Sequence, residues 1–296
     1  MGDLELSAWL KSTQKEVDKA LGRYLPRENT TPKIIHKAMR YSIFAGGKRL
    51  RPLLCLAAAE ACGGDLESAM AAACATEVMH TYSLVHDDLP CMDDDDLRRG
   101  RPTSHKVFGE GIAVLTGDAL LTQVFLIITQ TPVTKRYGIK EYVDEIANTG
   151  GSRKLIGGQV LDLEGEGKDL VKKDLVRIHE AKTAALLTSS VRLGGMSVNV
   201  TAQKLKALTD FGYNLGLAYQ VIDDILDVTQ TTEMLGKTAG KDEAVDKSTY
   251  PAILGLEASR KEAAKLTKKA LKSLEVFGGK GKRLEQIARY LLEREY

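Results

Sequence analysis

Residues Val85–Pro102 read VHDDLPCMDDDDLRRGRP, and the rest of the chain is organised around them. Six of the ten residues in Asp87–Asp96 are aspartates, and Arg98 and Arg99 follow closely. Because adjacent carboxylates disfavour each other's ionisation, a cation normally lies among them. Carboxylate oxygens suit Mg²⁺, which completes its shell with water and substrate phosphates, and a guanidinium matches phosphate oxygens. The stretch therefore predicts a site that holds a diphosphate through metal ions.

Composition limits the possible function. The chain has 296 residues, 43% hydrophobic and 28% charged, with 42 basic and 40 acidic residues. A net charge of +2 gives no bulk field for nucleic acid or an anionic membrane. We find no signal pattern, no apolar run of about 18 residues, and no CxxC pairing, so we interpret the four cysteines as buried free thiols. These features predict a cytoplasmic protein with no membrane span and no nucleic-acid partner.

Helical periodicity runs through most of the chain. Leu6, Leu10, Val17 and Leu21 fall on one helical face, whereas period-2 alternation is hard to find. Residues 68–84 carry only one charge, so a helix there is apolar on nearly every side and should lie in the middle of the molecule. With no βαβ alternation and no linker, the sequence predicts an all-α fold of about ten helices in one domain, residues 1–296.

A second acidic cluster, YQVIDDILD, occupies Tyr219–Asp227. Asp223 and Asp227 stand four residues apart and share a helix face, with Asp224 about 100° round from Asp223. A solvated acidic face or helix salt bridges are the ordinary alternative. Apolar neighbours and the lack of a basic residue within four positions argue against both. We interpret the cluster as a second set of metal ligands.

The spacing of the first cluster leaves one choice open. An EF-hand is excluded because the alternating ligands, the central glycine and the final glutamate are missing. Asp87 and Asp88 close the apolar helix, and Pro90 disturbs its end. A distorted last turn would bring Asp93 to Asp87, whereas an undisturbed helix would align Asp94 better. Either residue could be the ligand.

A basic motif, GGKRLRP, occupies Gly46–Pro52. Its paired glycines allow close backbone approach, and Lys48, Arg49 and Arg51 place positive charge at a helix start. This is typical of an anion site but lacks the Walker pattern, and a solvated helix cap remains the alternative.

Further basic candidates lie elsewhere in the chain. Lys182 and Thr183 stand in HEAKTAALL, and a Gly-containing segment that could act as a lid carries Lys237, Lys241 and Lys247. His80 lies two helical turns before Asp87, where a ligand and a core histidine are both possible. Two acidic and two basic sets suggest two diphosphate substrates. Because no Ser–His or Cys–His pairing is evident, catalysis would depend on metal ions and electrostatics.

These motifs resemble those of the trans-isoprenyl diphosphate synthases, most closely the bacterial-type farnesyl diphosphate synthases. Asp87–Asp93 is similar to the first aspartate-rich motif of the family in its form with two extra residues, Asp223–Asp227 to the second, and Gly46–Pro52 to its homoallylic-substrate motif. The likeness runs from about Lys33 to Pro251. It implies an all-α fold of ten to thirteen helices around a central cavity, usually as a homodimer.

The resemblance also implies a set of site residues. Three Mg²⁺ ions would be held by Asp87, Asp93 and Asp223, with Asp88, Asp224 and Asp227 nearby. The allylic diphosphate would be bound by Lys182, Lys241, Arg98, Thr183 and Gln220, with Lys237 as a further candidate. Isopentenyl diphosphate would be bound by Gly47, Lys48, Arg51, His80 and Arg99.

The implied reaction is a head-to-tail condensation. Metal-assisted ionisation of the allylic diphosphate leaves a carbocation, the double bond of isopentenyl diphosphate attacks it, and a proton leaves to the departing diphosphate. An apolar cavity would keep water from quenching the cation.

Product length is expected to depend on the cavity floor. In the family the positions four and five before the first aspartate matter, here Ser83 and Tyr82. The Tyr82 ring would project into the growth channel and stop the chain at fifteen carbons, so we expect farnesyl diphosphate. A twenty-carbon product is the alternative, and Tyr82 as an ordinary core aromatic is the other interpretation.

Three rival functions explain less of the sequence. A terpene cyclase would not need the basic site of Gly46–Pro52 with His80. A non-catalytic partner subunit usually lacks one or both aspartate motifs, and both are intact here. A metal-buffering or interaction protein would leave the paired basic sites unexplained.

Overall fold

The computed structural model describes residues 2–168, 170–229 and 249–292. The first half contains α1 (Gly2–Tyr24), α2 (Lys33–Ile43), α3 (Leu50–Ala61), α4 (Leu66–Asp87), α5 (Ser104–Phe108), α6 (Glu110–Ile128) and α7 (Ile139–Gly150). The second half contains α8 (Leu155–Gly165), α9 (Lys172–His179), a π-helical turn (Glu180–Ala184), α10 (Ala185–Ser197), α11 (Ala202–Thr229), α12 (Tyr250–Leu254), α13 (Leu256–Ser273), a 3₁₀ segment (Glu275–Gly281) and α14 (Lys282–Leu292). The predicted all-α fold is confirmed.

Helix α4 lies at the centre, as the single charge within residues 68–84 predicted. The Asp65 side chain caps it by accepting a hydrogen bond from the Ser68 backbone N–H at 2.8 Å, a contact worth about 1 kcal/mol. Residues from Ala69 to Met79 are buried against α3, α6 and α10. Because the helix ends at Asp87, the core helix carries the first acidic cluster to the edge of the core.

Helix α11 supplies the second acidic cluster. It packs between α10 and α13 along a buried face that includes Leu208, Leu215 and Ile225. The cluster lies on its last two turns, so a long buried helix fixes the position of these carboxylates. On the far side of α10, Gly194 lies so close to α3 that a Cβ there would collide with the Cys55 carbonyl oxygen.

A short hairpin interrupts the helices after the first acidic cluster. Strands β1 (Leu97–Arg98) and β2 (Arg101–Pro102) pair antiparallel. The turn between them has positive φ at Arg99 (54°) and Gly100 (73°), as tight hairpin turns require. Helical periodicity does not predict this hairpin. The hairpin directs Arg98 and Arg99 back toward the end of α4.

Helix α6 is more apolar than the sequence analysis recognised. An 18-residue window within Glu110–Ile128 has a mean hydropathy of 1.9, enough by length and composition to cross a membrane. Only 39% of that window is buried, and Val114, Leu115 and Leu126 are exposed. The core helices of globular proteins pass the same test, and α6 packs along α4. Composition therefore does not establish the predicted lack of a membrane span.

The four cysteines are free thiols, as expected. Cys55 and Cys74 are buried, and burial raises the pKa of the half-buried Cys62 to about 11. Cys91 differs from the prediction because it is exposed, in the loop that follows α4.

Candidate active site

A cavity of about 490 Å³ opens where the end of α4 faces α8 and the π-helical turn. Its walls are mainly apolar, with Leu155, Val160 and Leu163 contributed by α8. Seven of the predicted site residues line it, namely Arg51, His80, Tyr82, Ser83, Asp87, Lys182 and Thr183. An elongated apolar chain with an anionic head fits such a cavity.

Asp87 is the last residue of α4 and the most perturbed carboxylate of the first cluster. Burial raises its pKa to about 6, Lys182 opposes that shift, and Asp93 and Asp88 reinforce it. The Asp93 backbone N–H donates to the Asp87 carbonyl at 2.8 Å. The loop therefore folds back on the end of the helix, as the distorted-turn alternative requires, and this favours Asp93 over Asp94 as the partner of Asp87.

Asp88 is held by the hairpin. Its buried carboxylate accepts from the Arg98 Nε at 2.9 Å and from the Arg98 Nη2, which also contacts Asp95 at 3.1 Å. Burial raises the pKa of Asp88, while Arg98 lowers it. Arg98 is thus fixed beside the acidic cluster, close to where a diphosphate would be neutralised.

Arg99 lies over the paired glycines. Its Nη1 donates to the Gly46 carbonyl, and a Cβ on Gly47 would collide with its guanidinium. Gly47 has φ 119°, a value that side chains disfavour. The hairpin and the basic motif are therefore packed together, and Asp88, Arg98 and Arg99 line a small pocket next to the main cavity.

Arg51 and His80 are brought together from α3 and α4. Both line the cavity, and the Arg51 Nε has no hydrogen-bond partner within the described residues. Burial and the neighbouring Arg51 hold the pKa of His80 well below its usual range. A neutral imidazole beside a buried guanidinium suits an anion. Lys48 and Asp93 are not among the lining residues of the cavity.

The π-helical turn carries two of the predicted site residues and holds them against α8 and α11. Lys182 Nζ donates to Asp162 Oδ2 at 2.6 Å, while the Thr183 hydroxyl donates to Gln220 Oε1 at 3.0 Å. Gln220 Nε2 in turn donates to Asp224 Oδ1 at 3.0 Å. Such turns are frequent at functional sites. This one places Lys182 against the first cluster and Thr183 against the second.

The second acidic cluster contains two buried carboxylates and one half-buried carboxylate. Asp224 is buried and also accepts from the Tyr250 backbone N–H at 3.0 Å, which ties α11 to α12. Asp227 is buried, and Asp223 is half-buried. Lys237, Lys241 and Lys247, together with the predicted lid, lie outside the described residues.

The predicted floor residues both lie at the cavity. Ser83 Oγ donates to the His80 carbonyl at 2.9 Å. Tyr82 is buried and meets the His86 ring edge-on, with centroids 5.9 Å apart, and burial raises its pKa to about 12. Two rings rather than one therefore stand at this wall, a pairing that the position of Tyr82 in the sequence does not reveal.

The donor set suits magnesium, although the described residues contain no ready-made cluster. Among them, no three acidic, histidine or cysteine side chains converge closely enough to hold an ion. Asp87 nevertheless has a raised pKa because it is buried beside Asp93 and Asp88, an environment that a cation would relieve. Mg²⁺ takes few protein ligands and the rest from water and phosphates, so these carboxylates fit it.

Two residues of α8 were missed by the sequence analysis. Asp162 anchors Lys182, and Gln159 lines the cavity with a buried Nε2 that has no partner within the described residues. They stand three residues apart, so they share a helix face. The sequence did contain a sign of these site residues, because they are the two polar residues in the otherwise apolar Leu155–Leu163.

Solved structures with this fold define the class of protein. Geranylgeranyl pyrophosphate synthetase from Pyrococcus horikoshii superposes with a TM-score of 0.90 and 30% identity, covering 100% of both chains. Geranyltransferase from Helicobacter pylori, complexed with magnesium and isoprenyl diphosphate, gives a TM-score of 0.82 and 33% identity over 97% of this chain and 96% of that one. The fold is that of the trans-prenyltransferases.

Sequence relatives identify the family. Residues 32–287 match the polyprenyl synthetase family, and the chain belongs to it. The chloroplastic geranylgeranyl pyrophosphate synthase of Capsicum annuum is 49% identical over 287 residues, which cover 96% of this chain and 76% of the relative. That of Catharanthus roseus is 48% identical over 295 residues, which cover 98% and 82%. The chain is therefore a prenyltransferase that acts on isoprenyl diphosphates.

The cytoplasmic location predicted from the sequence is wrong on this comparison. The relatives from Capsicum annuum and Catharanthus roseus, and a further one from Arabidopsis thaliana, are named as chloroplastic. The prediction rested on free thiols and on the lack of a recognised signal pattern. Neither feature distinguishes the cytosol from another reducing compartment.

Proposed function

We propose that the protein is a geranylgeranyl diphosphate synthase, which adds isopentenyl diphosphate head to tail to allylic diphosphates until the chain has twenty carbons. The observation that carries this proposal is the apolar cavity with Asp87 and Lys182 on its wall. The names of the relatives favour twenty carbons over the fifteen expected from Tyr82. The paired Tyr82 and His86 rings line the wall. The identity of residue 82 alone therefore does not determine the length of the channel below the acidic cluster.

The allylic diphosphate would lie between the two acidic helices. Asp87, Asp93 and Asp223 would hold three Mg²⁺ ions, with Asp88, Asp224 and Asp227 around them. Lys182, Arg98, Thr183 and Gln220 would contact the diphosphate, joined by Lys237 and Lys241 from the segment outside the described residues. The Lys182 contact with Asp162 supports this assignment, because it holds an ammonium group at the cavity wall.

Isopentenyl diphosphate would bind at the basic motif. Arg51 and His80 stand at the cavity, where the Arg51 Nε has no hydrogen-bond partner among the residues that the structure describes, and Arg99 packs on Gly47. Lys48 completes the set. These positive groups would hold the second diphosphate with its double bond toward the allylic carbon.

Catalysis would then be electrostatic. Bound Mg²⁺ would supply charge neutralisation on the leaving diphosphate. Lys182 and Arg98 would stabilise the same developing charge, and the apolar walls from α8 would exclude water from the allylic cation. The proton lost after condensation would pass to the departing diphosphate, because no general base of the chain is assigned to it.

We also propose a homodimer. Leu115 and Leu126 share a face of α6 and expose 54% and 58% of their surface, an apolar face that a second copy would cover. A relative from Arabidopsis thaliana that is 49% identical to this chain is named the large subunit of a heterodimeric synthase, so that protein pairs with a second, different subunit.

Product analysis tests the proposed function. The protein would be incubated with labelled isopentenyl diphosphate and, separately, dimethylallyl, geranyl or farnesyl diphosphate, and the prenyl alcohols would be separated by chromatography. We expect geranylgeraniol from all three primers. Farnesol as the final product would contradict the twenty-carbon assignment, and turnover of an allylic substrate alone would indicate a cyclase.

Tyr82→Ala tests the cavity floor in the same assay. Removing the ring would open the wall beside His86, so we expect products longer than those of the unsubstituted protein. Tyr290→Ala, which removes a ring that is 50% exposed on α14 and does not line the cavity, serves as the matched control and should leave product length unchanged. Identical products from Tyr82→Ala and the parent would show that the floor lies elsewhere.

A further inference from the structure

Arg49, the middle one of the three basic residues in the motif, lies in a different environment from Lys48 and Arg51. Arg49 has left-handed backbone angles, φ 50° and ψ 36°, directly before α3 begins. Its side chain is only 2% exposed and is not among the residues that line the cavity, whereas Arg51, two residues on, does line it. In the sequence Arg49 adds positive charge to the motif beside Lys48 and Arg51, although the resemblance assigns only the other two to a diphosphate. The structure turns it inward.

Arg49 makes three hydrogen bonds to three different segments. Its Nε donates to Asp18 Oδ1 on α1 at 2.8 Å, and its Nη1 donates to Glu77 Oε1 on α4 at 2.8 Å. Its Nη2 donates to the Ile43 carbonyl at the end of α2 at 2.7 Å. The planar guanidinium fork therefore joins α1, α2 and α4 at the point where α3 starts.

Glu77 is the buried acidic partner of Arg49 in this contact. It is the only charged residue within 68–84, and its side chain is 1% exposed. Removing one partner of a buried ion pair leaves an uncompensated charge, whereas the intact pair adds little stability over apolar residues. Such a pair is therefore better explained by the geometry that it imposes than by stability.

The pair lies next to the residues assigned to isopentenyl diphosphate. Glu77 is three residues before His80 on α4, and Arg49 separates Lys48 from the start of α3, which carries Arg51. A second contact from α1 supports the same loop, because Gln14 Nε2 donates to the Gly47 carbonyl at 2.7 Å. The distance between Arg51 and His80 thus depends on how α3 is joined to α4.

We propose that Arg49 and Glu77 form a positioning pair for the isopentenyl diphosphate site: their buried contact sets the start of α3 against α4, so that Lys48 and Arg51 face the same diphosphate as His80. The inference rests on the proposed function, since it takes the basic motif to be the isopentenyl diphosphate site. Neither residue of the pair touches substrate.

Steady-state kinetics of Arg49→Lys and Glu77→Gln test the pair. Arg49→Lys keeps the charge but loses the fork, and Glu77→Gln keeps the shape but loses the charge. We expect the KM for isopentenyl diphosphate to rise about ten- to a hundred-fold, because small misplacements of binding groups have effects of this size. The KM for geranyl diphosphate should change less than about two-fold. The double variant should be no worse than the poorer single variant, since the two residues act through one contact.

Two further variants keep the test decisive. Asp18→Asn alters the half-exposed end of the same network, with its side chain 39% exposed, and should raise the same KM by a smaller factor in a folded protein. Arg192→Lys breaks a bidentate contact with Glu145 outside the site, and should lower the melting temperature without changing either KM.

The outcomes separate the inference from the proposed function. A lower melting temperature with both KM values unchanged, or an equal rise in both, would show that the pair is merely structural and overturn the inference. Arg51→Ala is the check on the proposed site. If it leaves the KM for isopentenyl diphosphate unchanged, the basic motif is not that site, and the inference is overturned together with the assignment.

Discussion

At the residue scale, conformation decides which charges face the cavity. Arg49 and Arg51 are two positions apart in one motif, yet one is paired with Glu77 and the other lines the cavity. The left-handed backbone at Arg49 accounts for the difference, because it turns the side chain away from the helix that follows. Two arginines that stand only two positions apart therefore have different roles.

Gly47 tests how closely the hairpin must approach the basic motif. Gly47→Ala adds a Cβ at φ 119° that collides with the Arg99 guanidinium. We expect Arg99 to be displaced and the KM for isopentenyl diphosphate to rise about ten-fold, since Arg99 is assigned to that diphosphate. The matched control is Gly167→Ala, at φ 66° with open space around it. Its backbone strain should cost about 1 kcal/mol of stability without changing any KM.

The buried His179 makes the folded protein less stable in acid. Burial lowers its pKa to about 4, and its ring stacks on Tyr250 with centroids 5.5 Å apart. In the unfolded chain His179 therefore binds a proton near pH 6.5, whereas in the folded chain it binds one only near pH 4. Stability is full above the unfolded pKa and is lost as the pH falls through this window, by roughly 2 kcal/mol between about pH 7.5 and pH 5. His80 acts in the same direction.

The comparison of His179→Phe with the parent isolates this contribution. Urea unfolding at both pH values would give the free energy of unfolding. We expect the variant to lose less stability on acidification, because phenylalanine keeps the ring packing and has no proton to bind. Equal losses in the two proteins would mean that His179 does not cause the acid sensitivity.

At the element scale, close helix contacts fix the positions of the acidic helices. Helix α10 lies between α3 and α11 and continues from the π-helical turn that carries Lys182 and Thr183. Its glycines allow the neighbouring backbones to approach: a Cβ at Gly194 would collide with the Cys55 carbonyl. The separation of α3 from α10 is therefore set by the absence of a side chain.

Gly194→Ala is expected to destabilise the protein by about 1–3 kcal/mol. The collision is with a backbone carbonyl, which cannot rotate away as a flexible side chain could. Thermal unfolding followed by circular dichroism measures the change. Gly279→Ala, where a Cβ meets nothing within 4 Å, provides the control and should leave the transition in place. An unchanged melting temperature for Gly194→Ala would mean that α3 and α10 can separate at no cost.

At the scale of the whole molecule, the exposed face of α6 has no covering element within the described residues. Leu115→Glu would place a charge in the proposed dimer interface. We expect the unsubstituted protein to have twice the chain mass of 32.3 kDa in light scattering, and the variant to have the mass of one chain. Val171→Glu changes a residue that is 60% exposed on another surface and should not affect the mass. A monomeric parent would exclude the homodimer.

From the sequence alone, one could predict the fold class and the helical placement of Asp87 and of the second acidic cluster. Helical periodicity and the single charge within 68–84 predicted the central helix because burial follows from local composition. Asp87 at the end of α4, and Asp223, Asp224 and Asp227 on α11, could be placed because spacing along one helix is fixed.

Only the tertiary structure decided how separate elements meet. It turned Arg49 inward, formed the hairpin of Arg98 and Arg99, and brought Asp162 to Lys182. These contacts join positions 20 or more residues apart or depend on left-handed backbone angles, so no periodicity encodes them. The depth of the cavity is a tertiary property of the same kind, because Tyr82 meets His86 at a wall to which α8 also contributes.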